Sequence, residues 1–115
     1  MEGLLDIYKE YIEAVRKDDY TLFKRDSAYS MSKCLLIAHT RIMGREIEES
    51  SRKMILNCCC PGYVDTDMTS HKGPLTIDEG AVTPVLVCTL PLEAGSGKFY
   101  REEKVFDWKN NKYFS

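Results

Sequence analysis

The sequence is short of the features that mark several protein classes. Its net charge is only −2, from 16 Lys and Arg against 18 Asp and Glu, and no basic stripe is interleaved with aromatics. That leaves no electrostatic footing for nucleic acid. Long apolar runs are missing too. Stretches such as Val85–Cys88 fall far below the roughly 20 residues that a membrane span requires, so no membrane partner is expected. There is no Cys-x-x-Cys, and His39 and His71 stand outside any zinc-ligand spacing, so no metal centre is expected. Met1-Glu2-Gly3 shows neither a signal-peptide pattern nor a glycine at position 2, which makes the cytoplasm the expected location. No internal repeat or low-complexity tract is present.

Five cysteines remain, an odd number, with Cys58, Cys59 and Cys60 contiguous. Neighbours on a strand face opposite sides, so such a run makes a poor disulfide framework. They read as small residues packed on a strand, reduced as in the cytosol. Cys60 would be a reactive thiol only if that strand end lay at an active site.

With 115 residues and 43% hydrophobic content, the chain amounts to at most one small soluble domain. Residues 2–18 read as an amphipathic helix, with Leu4, Tyr8, Tyr11 and Val15 at helical spacing. A second helix is expected from Ser27 to Glu49, buried along Met31, Leu35, Ala38 and Ile42 and capped by Asp26 or Ser27. Residues 54–60 form a nearly continuous apolar run, the pattern of a strand covered on both faces in a parallel sheet, and Pro61-Gly62 stops it. A loop over 63–76 leads to Thr76-Ile77-Asp78-Glu79, a capping box opening a helix to about Leu90, which Pro84 should kink. Lys98–Tyr100 reads as a short strand, and the aromatic tail either docks or frays. Helices alternating with apolar strands argue for a doubly wound α/β arrangement. Two strands are too few to complete one, so the chain looks like the back half of something larger.

Tyr-x-x-x-Lys occurs three times: Tyr20 with Lys24, Tyr29 with Lys33, and Tyr100 with Lys104. The spacing alone says little, because a packing tyrosine beside a solvated lysine satisfies it equally well. Context selects the middle copy. Residues i and i+4 share one helix face, and a helix in an α/β unit runs antiparallel to the strands it covers. Tyr29 and Lys33 should therefore share the carboxyl edge of the sheet with Pro61-Gly62, where open α/β sheets bind ligands.

Ser27-Ala28-Tyr29-Ser30-Met31-Ser32-Lys33, followed by a strand ending in Cys60-Pro61-Gly62-Tyr63-Val64-Asp65-Thr66, resembles the short-chain dehydrogenase/reductase family. The lead-in helix, Thr66-Asp67-Met68 and Asp78-Glu79-Gly80-Ala81-Val82-Thr83-Pro84-Val85 look most like its monomeric carbonyl reductases. The likeness covers nearly the whole chain. It implies the carboxyl-terminal part of a Rossmann-like doubly wound parallel sheet, with residues 1–115 a partial domain whose first nucleotide-binding half is absent. It implies an oxidoreductase that transfers hydride from NADPH to a ketone or aldehyde. Tyr29 would be the general acid, and Lys33 would bind the nicotinamide ribose while assisting it. Pro61, Gly62, Val64, Asp65 and Thr66 would hold the nicotinamide end of NADP, and Tyr63 would border the substrate pocket, where relatives often carry tryptophan.

The chemistry is sound in its own right. Reducing a carbonyl needs hydride on carbon and a proton on the developing alkoxide. A tyrosine, with an ordinary pKa of about 10, holds that proton at neutral pH, and a neighbouring ammonium stabilises the anion left behind. Three family features have no counterpart here. The seven glycines form no phosphate-binding turn, and neither the upstream asparagine nor the substrate-orienting serine has a matching position. The chain is thus expected to be inactive alone, its full-length form a monomer, and the 115 residues prone to self-association. The competing reading is a non-catalytic fragment or interaction module that keeps the fold's helices.

Overall fold

The computed structural model describes residues 1–23 and 28–107, together with the backbone of 112–113. Helix α1 spans Glu2–Lys17. Asp18 ends it in the left-handed conformation at φ 53°, where the Asp18 and Asp19 N–H groups return to the Val15 and Ala14 carbonyls. Tyr11 is buried on its inner face, with Phe23 edge-on at 5.4 Å. Helix α2 spans Ala28–Glu48 and packs on α1. The expected caps Asp26 and Ser27, and Lys24 of the first Tyr-x-x-x-Lys pair, lie outside the described residues.

Strand β1 is Cys58–Cys60, shorter than the apolar run led us to expect. The reason is local. Opposite residues 56–57 the partner chain turns at Gly95 and Gly97, with φ +74° and +73°, so the backbone there bonds to a turn instead of a ladder. Leu56 N–H donates to Ser96 Oγ, Gly97 N–H to the Leu56 carbonyl, and the Asn57 amide bridges Gly95 O and Lys98 N–H. Helix α3, Ile77–Cys88, opens with the expected capping box: Thr76 Oγ1 accepts from Glu79 N–H while the Glu79 carboxylate accepts from Thr76. It continues through Pro84 and ends two residues before the expected Leu90.

Strand β2, Phe99–Arg101, lies parallel to β1, with Cys59 opposite Tyr100. It then turns back through Glu102 and Glu103 into β3, Lys104–Asp107, which pairs antiparallel. Both turn residues have positive φ, 51° and 62°, the two-residue hairpin geometry that matches strand twist. A short β4, Lys112–Tyr113, completes a sheet of order β1-β2-β3-β4. The expected parallel pair is therefore present, but an antiparallel hairpin that the charged sequence of 101–104 concealed is added to it. The tail residues Trp108 and Phe114 lie outside the described residues.

The sheet sits between helices. Thr40 of α2 stands beside Cys58 on one face, while α3 packs on β1 from the other, where Cys59 is coupled to Cys88. Gly44 of α2 abuts the Gly97 backbone so closely that a Cβ there would fall 2.3 Å from its nitrogen. Glu48 accepts from Ser96 N–H at 2.7 Å. Packing is nonetheless thin. Tyr11, Ile47 and Tyr100 are the buried hydrophobic residues among those described, and no large side chain is fully enclosed. The radius of gyration is 16.3 Å, against about 13 Å for a compact domain of this length. Beyond β2, the far edge of β1 has no strand partner among the described residues.

Candidate functional site

The helix positions its chemistry by leverage. Thr40 beside Cys58 fixes the level of α2 against β1. Tyr29 lies eleven residues earlier in the helix, about 16 Å toward its start at 1.5 Å per residue. Gly62 lies four residues beyond Cys58, about 13 Å along an extended chain. Tyr29 and the Pro61-Gly62 turn therefore share the carboxyl edge of the sheet. Among the described residues no hydrogen bond or ring contact joins the two.

Tyr29 and Lys33 do meet each other. The Lys33 ammonium lies 5.3 Å from the centroid of the Tyr29 ring, and the Tyr29 side is 63% exposed. Helical spacing alone produces this, since i and i+4 side chains are stacked one turn apart. Ser32 donates its hydroxyl to the Tyr29 carbonyl at 2.7 Å, so it is committed to the helix backbone. The third pair, Tyr100 with Lys104, is not of this kind. Tyr100 is buried in the sheet, where desolvation pushes its phenol up, and Lys104 sits across the hairpin.

The Pro61-Gly62 turn leads into a groove of about 810 Å³. Cys60, Pro61, Gly62 and Tyr63 form one wall, Val82 and Thr83 of α3 another, and the Glu102-Glu103 turn closes it. Gly62 has φ +88°, and a Cβ there would strike Leu75 at 2.5 Å, so the turn requires glycine. Tyr63 lines the groove and is half exposed. Tyr29, Lys33, Val64, Asp65 and Thr66 are not among its walls.

Those last three residues instead build the loop. Val64 pairs with Leu75, and its side chain fills the space beside Gly80 of α3 where a Cβ would lie 2.4 Å away. Asp65 N–H donates to the Leu75 carbonyl at 2.8 Å. Thr69 Oγ1 donates to the Val64 carbonyl at 2.7 Å and accepts from Thr66 N–H at 3.1 Å. His71 bridges two carboxylates, with Nδ1 at 2.6 Å from Asp65 and Nε2 at 3.0 Å from Asp67. Both ring nitrogens thus face carboxylate oxygens. Sequence reading treated 63–76 as an open loop and missed this fastening. The i, i+4 spacing of Asp67 and His71 was the available signal.

The cysteines are half-buried in β1 and exposed at Cys34 and Cys88, all free. Burial pushes the Cys58 and Cys59 thiols up, with the Thr40 hydroxyl opposing at Cys58 and neighbouring Cys88 and Cys60 adding at Cys59. Cys60 lines the groove. Among the described residues no cluster could hold a metal ion, and no helix is long and apolar enough to cross a membrane.

No family model matches the chain. Its sequence is 36% identical over 113 aligned positions to rat carbonyl reductase (NADPH) 3, covering 91% of this chain and 40% of that protein. It is 37% identical over 107 positions to short-chain dehydrogenase/reductase 1 of Saponaria officinalis, covering 91% and 33%. Human carbonyl reductase (NADPH) 1 is 34% identical, covering 93% and 40%. Salutaridine reductase from Papaver somniferum superposes with a TM-score of 0.75 at 29% identity, over 86% of this chain and 33% of that one. Over part of their length the chain is therefore similar to the short-chain dehydrogenase/reductases, and its fold is a partial Rossmann-like α/β fold. Within that family it resembles the carbonyl reductases, and it spans about 40% of the length of the carbonyl reductases it matches.

Proposed function

We propose that this chain carries the catalytic helix and nicotinamide-side loop of an NADPH-dependent carbonyl reductase and acts on a small ketone or aldehyde. It corresponds to the carboxyl-terminal part of such an enzyme and is inactive without a nucleotide-binding half. The observation that carries this reading is the Tyr29–Lys33 pair, ammonium over ring, at the same sheet edge as the Pro61-Gly62 turn.

The residues at this edge fit the nicotinamide end of the cofactor. Pro61 and Gly62 present bare backbone at an open groove, and among the described residues the Lys33 ammonium has an aromatic face as its partner and no carboxylate. The fit stops there, because no glycine-rich turn in the 115 residues could cradle a diphosphate. When bound, NADPH supplies the hydride. Tyr29 then donates its hydroxyl proton to the substrate oxygen, and the Lys33 charge steadies the phenolate that remains. Tyr63, Val82 and Thr83 shape the space for the carbonyl's substituents and keep water from one side of it.

The test is a chimera joining these residues to the nucleotide-binding portion of the human relative, assayed by NADPH oxidation with a simple aromatic aldehyde. Turnover is expected, and Tyr29→Phe should reduce kcat by at least 100-fold, in line with the usual contribution of general acid catalysis of roughly 10²–10⁴. A chimera equally active with phenylalanine would refute the assignment. The isolated chain should show no micromolar NADPH binding by calorimetry.

A second reading, a non-catalytic interaction module, is favoured by the half-exposed Leu5, Tyr8, Leu36 and Met54 and by the unpaired edge of β1. It predicts concentration-dependent association of the purified chain. A monodisperse, cooperatively unfolding monomer in sedimentation and denaturation experiments would remove it.

A further inference from the structure

At the other end of the sheet, the last turns of α2 meet the start of β2 and the end of β3 around a second groove of about 420 Å³. That volume falls within the roughly 300–1,000 Å³ usual for small-molecule sites. Its rim carries Arg41, Arg45 and Lys98, and its apolar wall is Phe99, Val105 and Phe106. Among the described residues no carboxylate lines it, although the whole chain has a net charge of −2.

The three cations are not equivalent. The Lys98 ammonium donates to the Ala94 carbonyl and is tied to the turn. Arg41 and Arg45 are exposed, one helical turn apart, and among the described residues they make no salt bridge or side-chain hydrogen bond. Below them Phe99 and Phe106 meet edge-to-face at 6.0 Å, on directly opposed strands. The groove is held open by backbone contact: Gly44 rests against Gly97, whose N–H is already spent on the Leu56 carbonyl.

We propose that this groove binds an amphiphilic oxyanion, a carboxylate or phosphate monoester on an apolar chain, with its head between Arg41 and Arg45. An inorganic anion would use the cations but make no use of the apolar wall. A neutral hydrocarbon would cover the wall but find no use for two unpaired guanidinium groups. Only a ligand carrying both parts engages the whole groove, and arginine's planar fork suits either head. The site is independent of the catalytic reading, since it lies at the amino ends of β1 and β2, away from Pro61-Gly62.

Calorimetry on the whole chain tests this, using decanoate and decyl phosphate as probes, with decanol and sodium sulfate as controls. One saturable site per chain is expected for at least one amphiphilic anion, and the tighter of the two identifies the head. Decanol should bind at least tenfold more weakly and sulfate without saturation. The double variant Arg41→Gln/Arg45→Gln should lose at least tenfold in affinity, while Arg41→Lys/Arg45→Lys keeps part of it. All four substitutions lie on exposed positions, and circular dichroism will confirm the fold. Unchanged affinity in the glutamine variant, equal binding of decanol, or no saturable binding of either anion would overturn the proposal. So would a dimer in sedimentation that Arg41→Glu/Arg45→Glu dissociates, since a second copy would then occupy the groove.

Discussion

Gly44 offers a sharp test of how α2 is held. In a helix interior, alanine is worth about 1 kcal/mol more than glycine, so propensity alone predicts that Gly44→Ala stabilises the protein. The structure predicts the opposite sign. The added Cβ would stand 2.3 Å from Gly97 N, 2.4 Å from Gly97 Cα and 3.0 Å from the Ser96 carbonyl carbon. A normal contact needs about 3.5 Å or more, so helix and turn must separate by roughly 1 Å. The turn cannot give cheaply. Gly97 is itself at φ +73° and donates to the Leu56 carbonyl at 2.8 Å, while Ser96 is bonded to Glu48. Overpacking of this kind costs about 1–3 kcal/mol, and losing one of these hydrogen bonds adds about 1 kcal/mol. Against the propensity gain, the net is a destabilisation of about 1–3 kcal/mol. Gly3→Ala is the control, because nothing lies within 4 Å of its Cβ position in α1. It should be neutral or stabilising by up to about 1 kcal/mol. Urea unfolding followed by circular dichroism distinguishes the two. If Gly44→Ala raises the midpoint as Gly3→Ala does, the described packing of α2 on the β2 turn is wrong.

Two further predictions concern titration. The Glu79 carboxyl is held below its ordinary value by bonds from the Thr76 N–H and hydroxyl, so the capping box stabilises α3 when Glu79 is ionised. A depressed carboxylate contributes above its unfolded value, near 4.5, and that contribution fades as pH falls through its folded value. Hydrogen-exchange protection factors in the first turn of α3, taken relative to intrinsic rates at each pH, should therefore fall on acidification below about pH 4.5, and Glu79→Gln should flatten that dependence; an unchanged profile would contradict it. Among the thiols, Cys34 and Cys88 are exposed while burial pushes Cys58 and Cys59 up. Iodoacetamide at neutral pH should label Cys34 and Cys88 first, read by peptide mass spectrometry, and early labelling of Cys58 would refute the packing of β1 against α2.

The helices were legible because their signals are local: the α1 stripe and the Thr76–Glu79 box each sit within one or two turns of sequence. Strand β1 was overestimated because apolar residues at 54–57 look like strand, while the Ser96 and Asn57 bonds that pre-empt the ladder come from 40 residues away. The hairpin through Glu102-Glu103 was hidden for a different reason. Two glutamates at positive φ are poor turn formers, and what holds them includes Thr83, whose buried hydroxyl accepts from Glu103 N–H at 3.2 Å. The Tyr29–Lys33 pair could be read from spacing because a helix enforces it. The i, i+4 spacing of Asp67 and His71 hints at only one side of the His71 bridge, since its reach to Asp65 depends on a loop path that Val64 and Gly80 set by steric fit.

The way α2 is anchored bears on the proposal that these residues do not work alone. Among the described residues, the contacts that tie the helix to the sheet include Thr40 beside Cys58, Gly44 on Gly97 and Glu48 on Ser96, all in its second half. The first half, which carries Tyr29 and Lys33, rests on α1, and the groove between the two helices leaves Leu36 and Tyr8 half exposed. The end that carries Tyr29 and Lys33, the proposed acid and its partner, is thus tied to the sheet through its far end. General acid catalysis needs a donor within about 2.6–3.2 Å of its target, and misplacement by about 1 Å can cost 100-fold in rate. A helix whose first half rests on another helix and not on the sheet does not set a phenol to that tolerance. Further chain against the open edge of β1 would have to cover the first half of α2 as well as supply the phosphate cradle. On this reasoning, restoring nucleotide binding by itself would leave turnover low, and activity would follow the protection of the Tyr29 helix from hydrogen exchange.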